Sequence, residues 1–273
     1  MAVTASIGLI VLAGLGVDRL LSLRRPQALA PTRALWLRTR RRSAAYVRSA
    51  PATYGYLAIL LVTGWILAGM SDALADRLLL AQSTNLHHLG HDPLRVLVSS
   101  AFWAPGAHDL VISAVLFTLV LAPVERRIGS LRTVGLFAIG HLGATLLTGA
   151  GLWLALRFDA VERSVVNVRD VGPSYGFFAV AAGMTYLLAR GLRAPYAAGL
   201  VGYLATTAVL SDGFGDYGHL AALALGFASY PLVRHASGKV ATPILNGLPR
   251  RWIVTDSPVT VPISPPKPAG GAE

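Results

Sequence analysis

Residues 54–73 have the sequence YGYLAILLVTGWILAGMSDA, and this stretch decides the class of fold. It is almost uncharged, and its length matches the roughly 20 apolar residues that a helix needs to cross a bilayer. Charged or polar connections separate it from five more apolar blocks, at 109–124, 133–155, 174–189, 196–211 and 218–233. The sequence therefore predicts an all-α, polytopic membrane helix bundle with a six-span core.

The overall composition agrees with a membrane location. Hydrophobic residues make up 54% of the chain and charged residues only 14%, whereas a soluble domain carries about 25% charged residues. The chain has no cysteine, which excludes disulfides, thiol catalysis and cysteine-based metal sites.

Basic residues are concentrated in every second connection between the apolar blocks. Nine Arg lie in 18–53, three in 125–132 and two in 190–194, and five Lys or Arg follow residue 233, while the intervening connections hold five. This pattern follows the positive-inside rule and predicts that both termini of the core are cytoplasmic. Because topology explains the net charge of +11, no nucleic-acid partner is expected. The expected location is the bacterial plasma membrane.

Three regions are predicted. Residues 1–53 combine an apolar segment with an Arg-rich cytoplasmic segment, residues 54–235 form the membrane domain, and residues 236–273 form a Pro-rich, largely disordered cytoplasmic tail. The apolar stretch at 2–17 has two interpretations that both stay open: an extra N-terminal span or an interfacial helix. It lacks the features of a cleaved signal peptide.

Ser174 and His219 are the candidates for chemistry. Each follows an outer connection and is predicted in the first turn of an inward-running helix, so topology alone brings both side chains to one depth. A serine hydroxyl becomes a useful nucleophile when an adjacent base takes its proton. Small residues at helical spacing, such as Gly218 and Gly226, would let the two helices approach closely. Taken singly, each residue is better explained as a hydrogen-bonding link between helices, and it is the pair at one depth that favours catalysis.

Several motifs resemble those of one known family. Residues 94–129, LRVLVSSAFWAPGAHDLVISAVLFTLVLAPVERRIG, resemble the first outer loop and second helix of the rhomboid family. Arg95, Glu125 and Gly129 match residues of that pattern. Residues 172–180, GPSYGFFAV, are similar to the Gly-x-Ser motif of the fourth rhomboid helix.

The sixth block completes the resemblance. The stretch GHLAALALG at 218–226 is similar to the family's motif of His followed by two small residues, and Phe178 stands where the family has an aromatic residue packed under that His. The likeness covers about 54–235. It implies an intramembrane serine endopeptidase that cleaves transmembrane segments near the outer face, with Ser174 and His219 as catalytic residues and without a cofactor.

Departures from the family pattern define a second hypothesis. Tyr175 follows the serine where the family usually has Gly, and Asp109 and Ser113 stand where the family has the His and Asn that stabilise an oxyanion. His108, Gly172 and Phe178 complete the supporting residues that the resemblance implies. The alternative function is a catalytically inactive rhomboid-like protein that binds or escorts membrane clients.

The remaining histidines have simpler explanations. His87, His88 and His91 lie near Asp92, but their spacing matches no helix-borne metal motif. We expect an interfacial loop there and no metal. His141 lies inside the third block, where a hydrogen bond to a neighbouring helix is expected.

Overall fold

The computed structural model describes residues 30–211 and 213–234, which include every candidate site residue. Within these ranges the chain is helical, with short turns and no strand. The predictions for residues 2–17 and for the tail at 236–273 fall outside the described residues.

The helices of the described chain follow one another with connections of different lengths, the longest at 158–173. They are α1 (Ala30–Arg48), α2 (Pro51–Ala68), α3 (Asp72–Ala81), α4 (Leu86–His91), α5 (Pro93–Ser99), α6 (Ala107–Ile128), α7 (Ser130–Arg157), α8 (Ser174–Met184), α9 (Arg190–Leu210), α10 (Phe214–Ala228) and α11 (Tyr230–Arg234). One π-helical turn, Phe117–Leu121, interrupts α6.

Three helices of the described chain are long and apolar enough to cross a membrane: α2, α6 and α7. The other predicted blocks lie on α8, α9 and α10, of which α8 has 11 residues and α10 has 15. The helical class is thus confirmed, whereas the count of six spans stays a prediction. The first block is shifted from its predicted bounds: α2 begins at Pro51 and ends before Gly69, so Asp72 starts a separate helix.

The outside of the bundle is apolar. Trp65 is 67% exposed on α2, Leu119 is 62% exposed on α6, and Val209 is 83% exposed on α9. Large apolar surfaces of this kind are unfavourable in water but match the hydrocarbon core of a bilayer. The exposed surface therefore agrees with a membrane environment.

Glu125 fixes the start of α2 against the end of α6. Its buried carboxylate accepts hydrogen bonds from the backbone N–H groups of Ala52 and Thr53, both at 2.8 Å, and from the hydroxyls of Thr53 and Ser130. The first turn of a helix has unpaired N–H groups that favour a negative charge. Gly129, with φ of +86°, makes the turn into α7 in a backbone region that other residues rarely adopt.

The centre of the bundle is formed by α7, α8 and α10, which approach closely at small residues. A Cβ added at Gly140 of α7 would overlap the Cβ of Ala179 on α8. A Cβ added at Gly226 of α10 would lie 2.7 Å from the Cα of Ala179 and 2.7 Å from the Cβ of Ala182. Gly140 therefore allows α7 and α8 to touch, and Gly226 allows contact between α8 and α10, the two helices that carry Ser174 and His219.

Candidate functional site

Ser174 and His219 meet across α8 and α10. The Ser174 Oγ lies 2.9 Å from the His219 Nε2, within hydrogen-bond distance. Ser174 is the first residue of α8, as expected. His219 lies in the second turn of α10 rather than the first, because α10 begins at Phe214, four residues before the predicted block.

Two aromatic rings hold the His219 imidazole. The Phe178 ring lies 4.9 Å from it and the Tyr175 ring 5.3 Å, both measured between centroids. Phe178 thus packs against the histidine as the resemblance implied. Tyr175 is buried, and its ring occupies the space beside Gly218, where an added Cβ would overlap it. The departure at Tyr175 is therefore accommodated by a glycine on the facing helix.

Asp216 is a neighbour of His219 that the sequence interpretation missed. Its Oδ1 lies 3.6 Å from the His219 Nδ1, on the opposite side of the ring from Ser174. The Ser211 hydroxyl donates a hydrogen bond to the other carboxylate oxygen of Asp216. The signal was present in the sequence as Asp-x-x-His, because residues three apart share one face of a helix.

The residues predicted to support an oxyanion occupy different environments. His108 and Asp109 are well exposed in the first turn of α6, and Ser113 is buried one turn further along. In the described part of the chain, no hydrogen bond links these three side chains to Ser174. Gly172 has φ of +135°, and its N–H donates to the Ser100 carbonyl at 3.0 Å. Gly172 therefore shapes the entry into α8, and its N–H is already used.

The start of α8 presents backbone N–H groups that have no acceptor within the helix. The N–H of Phe177 is the first to bond back, to the Pro173 carbonyl at 3.0 Å. The N–H groups of Ser174, Tyr175 and Gly176 precede it and have no carbonyl one turn earlier within the helix. Such groups at a helix start are suited to an anion.

The sequence profile of the rhomboid-like protein family matches residues 45–239, which is well over half of the chain. The chain belongs to the rhomboid-like protein family. No curated protein and no solved structure matches the chain. Family membership and the three long apolar helices together make it an integral membrane protein.

In this rhomboid-like protein, the connections at 74–108 and 156–173 are joined to each other by hydrogen bonds. The Asp170 N–H donates to the Ser83 hydroxyl at 2.7 Å, and the Thr84 N–H donates to the Asp170 carbonyl at 2.9 Å. The Thr84 hydroxyl donates to the Asp170 carboxylate at 3.0 Å. The buried Tyr175 hydroxyl lies near this carboxylate.

Asp170 should make the stability of the protein depend on pH. Burial raises the pKa of Asp170 from its ordinary 3.8 to about 6, against the opposing effect of the Thr84 hydrogen bond. Because the folded state favours the protonated form, the contribution of Asp170 to stability is greatest below about pH 4, is lost as the pH rises to about 6, and then stays level. The fall should be about 1–3 kcal/mol.

Thermal unfolding in detergent between these pH values measures this effect. In the Asp170→Asn variant, the stability should decline much less over this pH range than in the wild type. Asp159→Asn, which changes an exposed residue of the same connection, should show the same decline as the wild type. An unchanged pH profile in Asp170→Asn would show that other groups cause the decline.

Other histidines of the described chain make contacts elsewhere. The buried His141 Nε2 is 3.1 Å from the Ser100 Oγ and 3.2 Å from the carbonyl of Leu97 on α5, so it links α7 to a neighbouring helix as expected. His88 Nδ1 is 3.1 Å from the Ser83 carbonyl, and His91 Nδ1 is 2.7 Å from the His87 carbonyl.

Proposed function

We propose that this rhomboid-like protein is an intramembrane serine endopeptidase that cleaves transmembrane segments of other membrane proteins. The observation that carries the proposal is the 2.9 Å distance between the Ser174 Oγ and the His219 Nε2. A nucleophile and its base within hydrogen-bond reach are the minimum for acyl transfer by serine.

The reaction would proceed in two steps. The Ser174 oxygen bonds to a peptide carbonyl carbon, its proton passes to His219 Nε2, and the carbonyl electron pair moves to oxygen. His219 then gives that proton to the leaving amine as the C–N bond breaks. Water repeats the sequence on the acyl-enzyme and frees Ser174. No cofactor takes part in this scheme.

An oxyanion would be stabilised by the start of α8. The free N–H groups of Ser174, Tyr175 and Gly176 lie at the helix end that favours negative charge. Donors of this kind are worth about 10²–10³ in rate. His108 and Ser113, which lie on α6, are candidates for a second donor once a substrate is bound.

The proposed topology has six spans in residues 54–235, with both core termini in the cytoplasm of a bacterial plasma membrane. The basic connections support this orientation through the positive-inside rule. Ser174 and His219 then lie near the outer face, where the connections at 74–108 and 156–173 would admit water to the acyl-enzyme.

A second candidate function is the binding or escort of membrane clients without cleavage. The observation that favours it is Asp109, a half-exposed carboxylate at a position where the family places an oxyanion donor. A negative charge there would oppose the charge that develops in the transition state.

Cleavage is tested by comparing cells that produce the wild-type protein with cells that produce Ser174→Ala at the same level. New protein N-termini are labelled and identified by mass spectrometry. We expect termini within or beside transmembrane segments, in their outer halves, only in cells with the wild type.

The two candidate functions give different results in this comparison. Identical sets of termini in both cell lines would contradict the protease proposal. If clients also co-purify equally with wild type and Ser174→Ala, the binding function is favoured instead.

A further inference from the structure

The Asp216 carboxylate lies next to His219, on the side of the imidazole ring opposite Ser174. The Asp216 Oδ1 lies 3.6 Å from the His219 Nδ1, while the Nε2 faces the Ser174 Oγ at 2.9 Å. The imidazole therefore lies between the carboxylate, at ion-pair distance from Nδ1, and the hydroxyl, at hydrogen-bond distance from Nε2. The side chains of His219 and Asp216 are only 22% and 20% exposed, so water screens their contact incompletely.

The Asp216 carboxylate is itself held in place. The Ser211 hydroxyl donates to its Oδ2, and the Gly213 N–H donates to the Ser211 oxygen at 3.4 Å. The Asp216 N–H bonds back to the Gly213 carbonyl at 3.2 Å and fixes the backbone in the first turn of α10. Both carboxylate oxygens thus have a defined direction, and Oδ1 is the one that faces the imidazole.

We propose that Asp216 is a positioning residue for His219, so that the site works as a Ser174–His219–Asp216 triad; this inference rests on the proposed protease function. Asp216 would keep the imidazole proton on Nδ1, which leaves the Nε2 lone pair directed at the Ser174 hydroxyl. When the hydroxyl proton passes to Nε2, the carboxylate would stabilise the imidazolium.

Groups around the ring support this assignment. Phe178 and Tyr175 cover the imidazole with apolar ring surface, and Ser174 lies at Nε2. Among the described residues, Asp216 is therefore the anionic group within ion-pair distance of His219. An apolar surrounding strengthens the preference of the ring for one orientation over the other.

The competing explanation is that Asp216 only stabilises the start of α10, because an acidic residue in the first turn stabilises a helix. Asp72 offers a matched control, since it lies in the first turn of α3 as Asp216 lies in that of α10. A helix-end role predicts similar effects in Asp216→Asn and Asp72→Asn, all on stability. A positioning role predicts an effect on the imidazole that Asp72→Asn does not share.

Two measurements on the purified full-length protein test the proposal. The first is NMR of the histidine ring nitrogens, with the His219 signal identified by its loss in His219→Ala. We expect the wild type to hold the proton on Nδ1, Asp216→Asn to spread it over both nitrogens, and Asp216→Glu to restore the wild-type tautomer in large part.

The second measurement is the reaction of Ser174 with a fluorophosphonate probe, resolved into probe affinity and the rate of bond formation. Asp216→Asn should lower that rate by about 10–10²-fold with little change in affinity, Asp216→Glu should recover part of it, and Asp72→Asn should match the wild type.

The outcomes separate this proposal from the protease function. An unchanged tautomer together with an unchanged rate in Asp216→Asn overturns the positioning role. If the wild-type protein does not react with the probe at all, the protease function fails, and the tautomer comparison still decides whether Asp216 orients His219.

Discussion

Replacing His219 with glutamine is expected to slow the reaction of Ser174 with a fluorophosphonate probe by about 10²–10⁴-fold. Glutamine keeps a polar side chain of similar length, but it cannot accept the proton of the Ser174 hydroxyl and later release it. Ser174 would lose the base that now lies 2.9 Å from its Oγ, the His219 Nε2. The rate is measured as adduct formed per minute on protein that elutes as a folded, monodisperse peak.

The matched control for this change is His141→Gln. His141 is also a buried histidine inside the bundle, and its Nε2 lies near the Ser100 Oγ and the Leu97 carbonyl rather than Ser174. Its loss should reduce stability by about 1–3 kcal/mol and leave the labelling rate of folded protein near the wild-type value. Equal rates in His219→Gln and wild type would remove His219 from the mechanism.

Gly226→Ala should disturb both the stability and the reactivity of the protein. The added methyl group would overlap the Ala179 carbonyl oxygen and lie 2.7 Å from the Cβ of Ala182, so α8 and α10 must move apart. Overpacking of this kind costs about 1–3 kcal/mol. A displacement of about 1 Å between Ser174 and His219 should also lower the labelling rate by about 10²-fold.

Gly202→Ala is the control for this prediction, because a Cβ at Gly202 of α9 meets no atom within 4 Å. We expect Gly202→Ala to melt and react like the wild type. If Gly226→Ala behaves in the same way as Gly202→Ala, the close approach of α8 and α10 does not determine the geometry of the pair.

The helical class followed from local patterns. Apolar blocks of helix length, alternating with basic connections, predict helices and put Ser174 and His219 near the starts of two of them; their depth in the membrane stays a prediction. The bounds of the helices were harder to predict. The start of α2 depends on Glu125, more than 70 residues away along the chain, which accepts the N–H groups of Ala52 and Thr53. The residues around the start of α2 do not themselves indicate such a cap.

Some features of the site depend on contacts between distant segments. Tyr175 departs from the glycine that is usual in the family, and its ring lies beside Gly218, an arrangement that depends on the packing of α8 on α10. The link between Asp170 and Thr84 also joins two connections that are far apart in sequence. Asp216 is different, because its spacing of three residues from His219 is a local signal that the sequence contains.

The central claim is that Ser174 is a nucleophile activated within the bilayer. Its most direct test is to treat the wild-type protein in lipid vesicles with a fluorophosphonate probe and to map the adduct by mass spectrometry. We predict one adduct, on Ser174, that is absent in Ser174→Ala. No adduct under conditions in which an active rhomboid protease reacts, or an adduct that persists in Ser174→Ala, would contradict the claim.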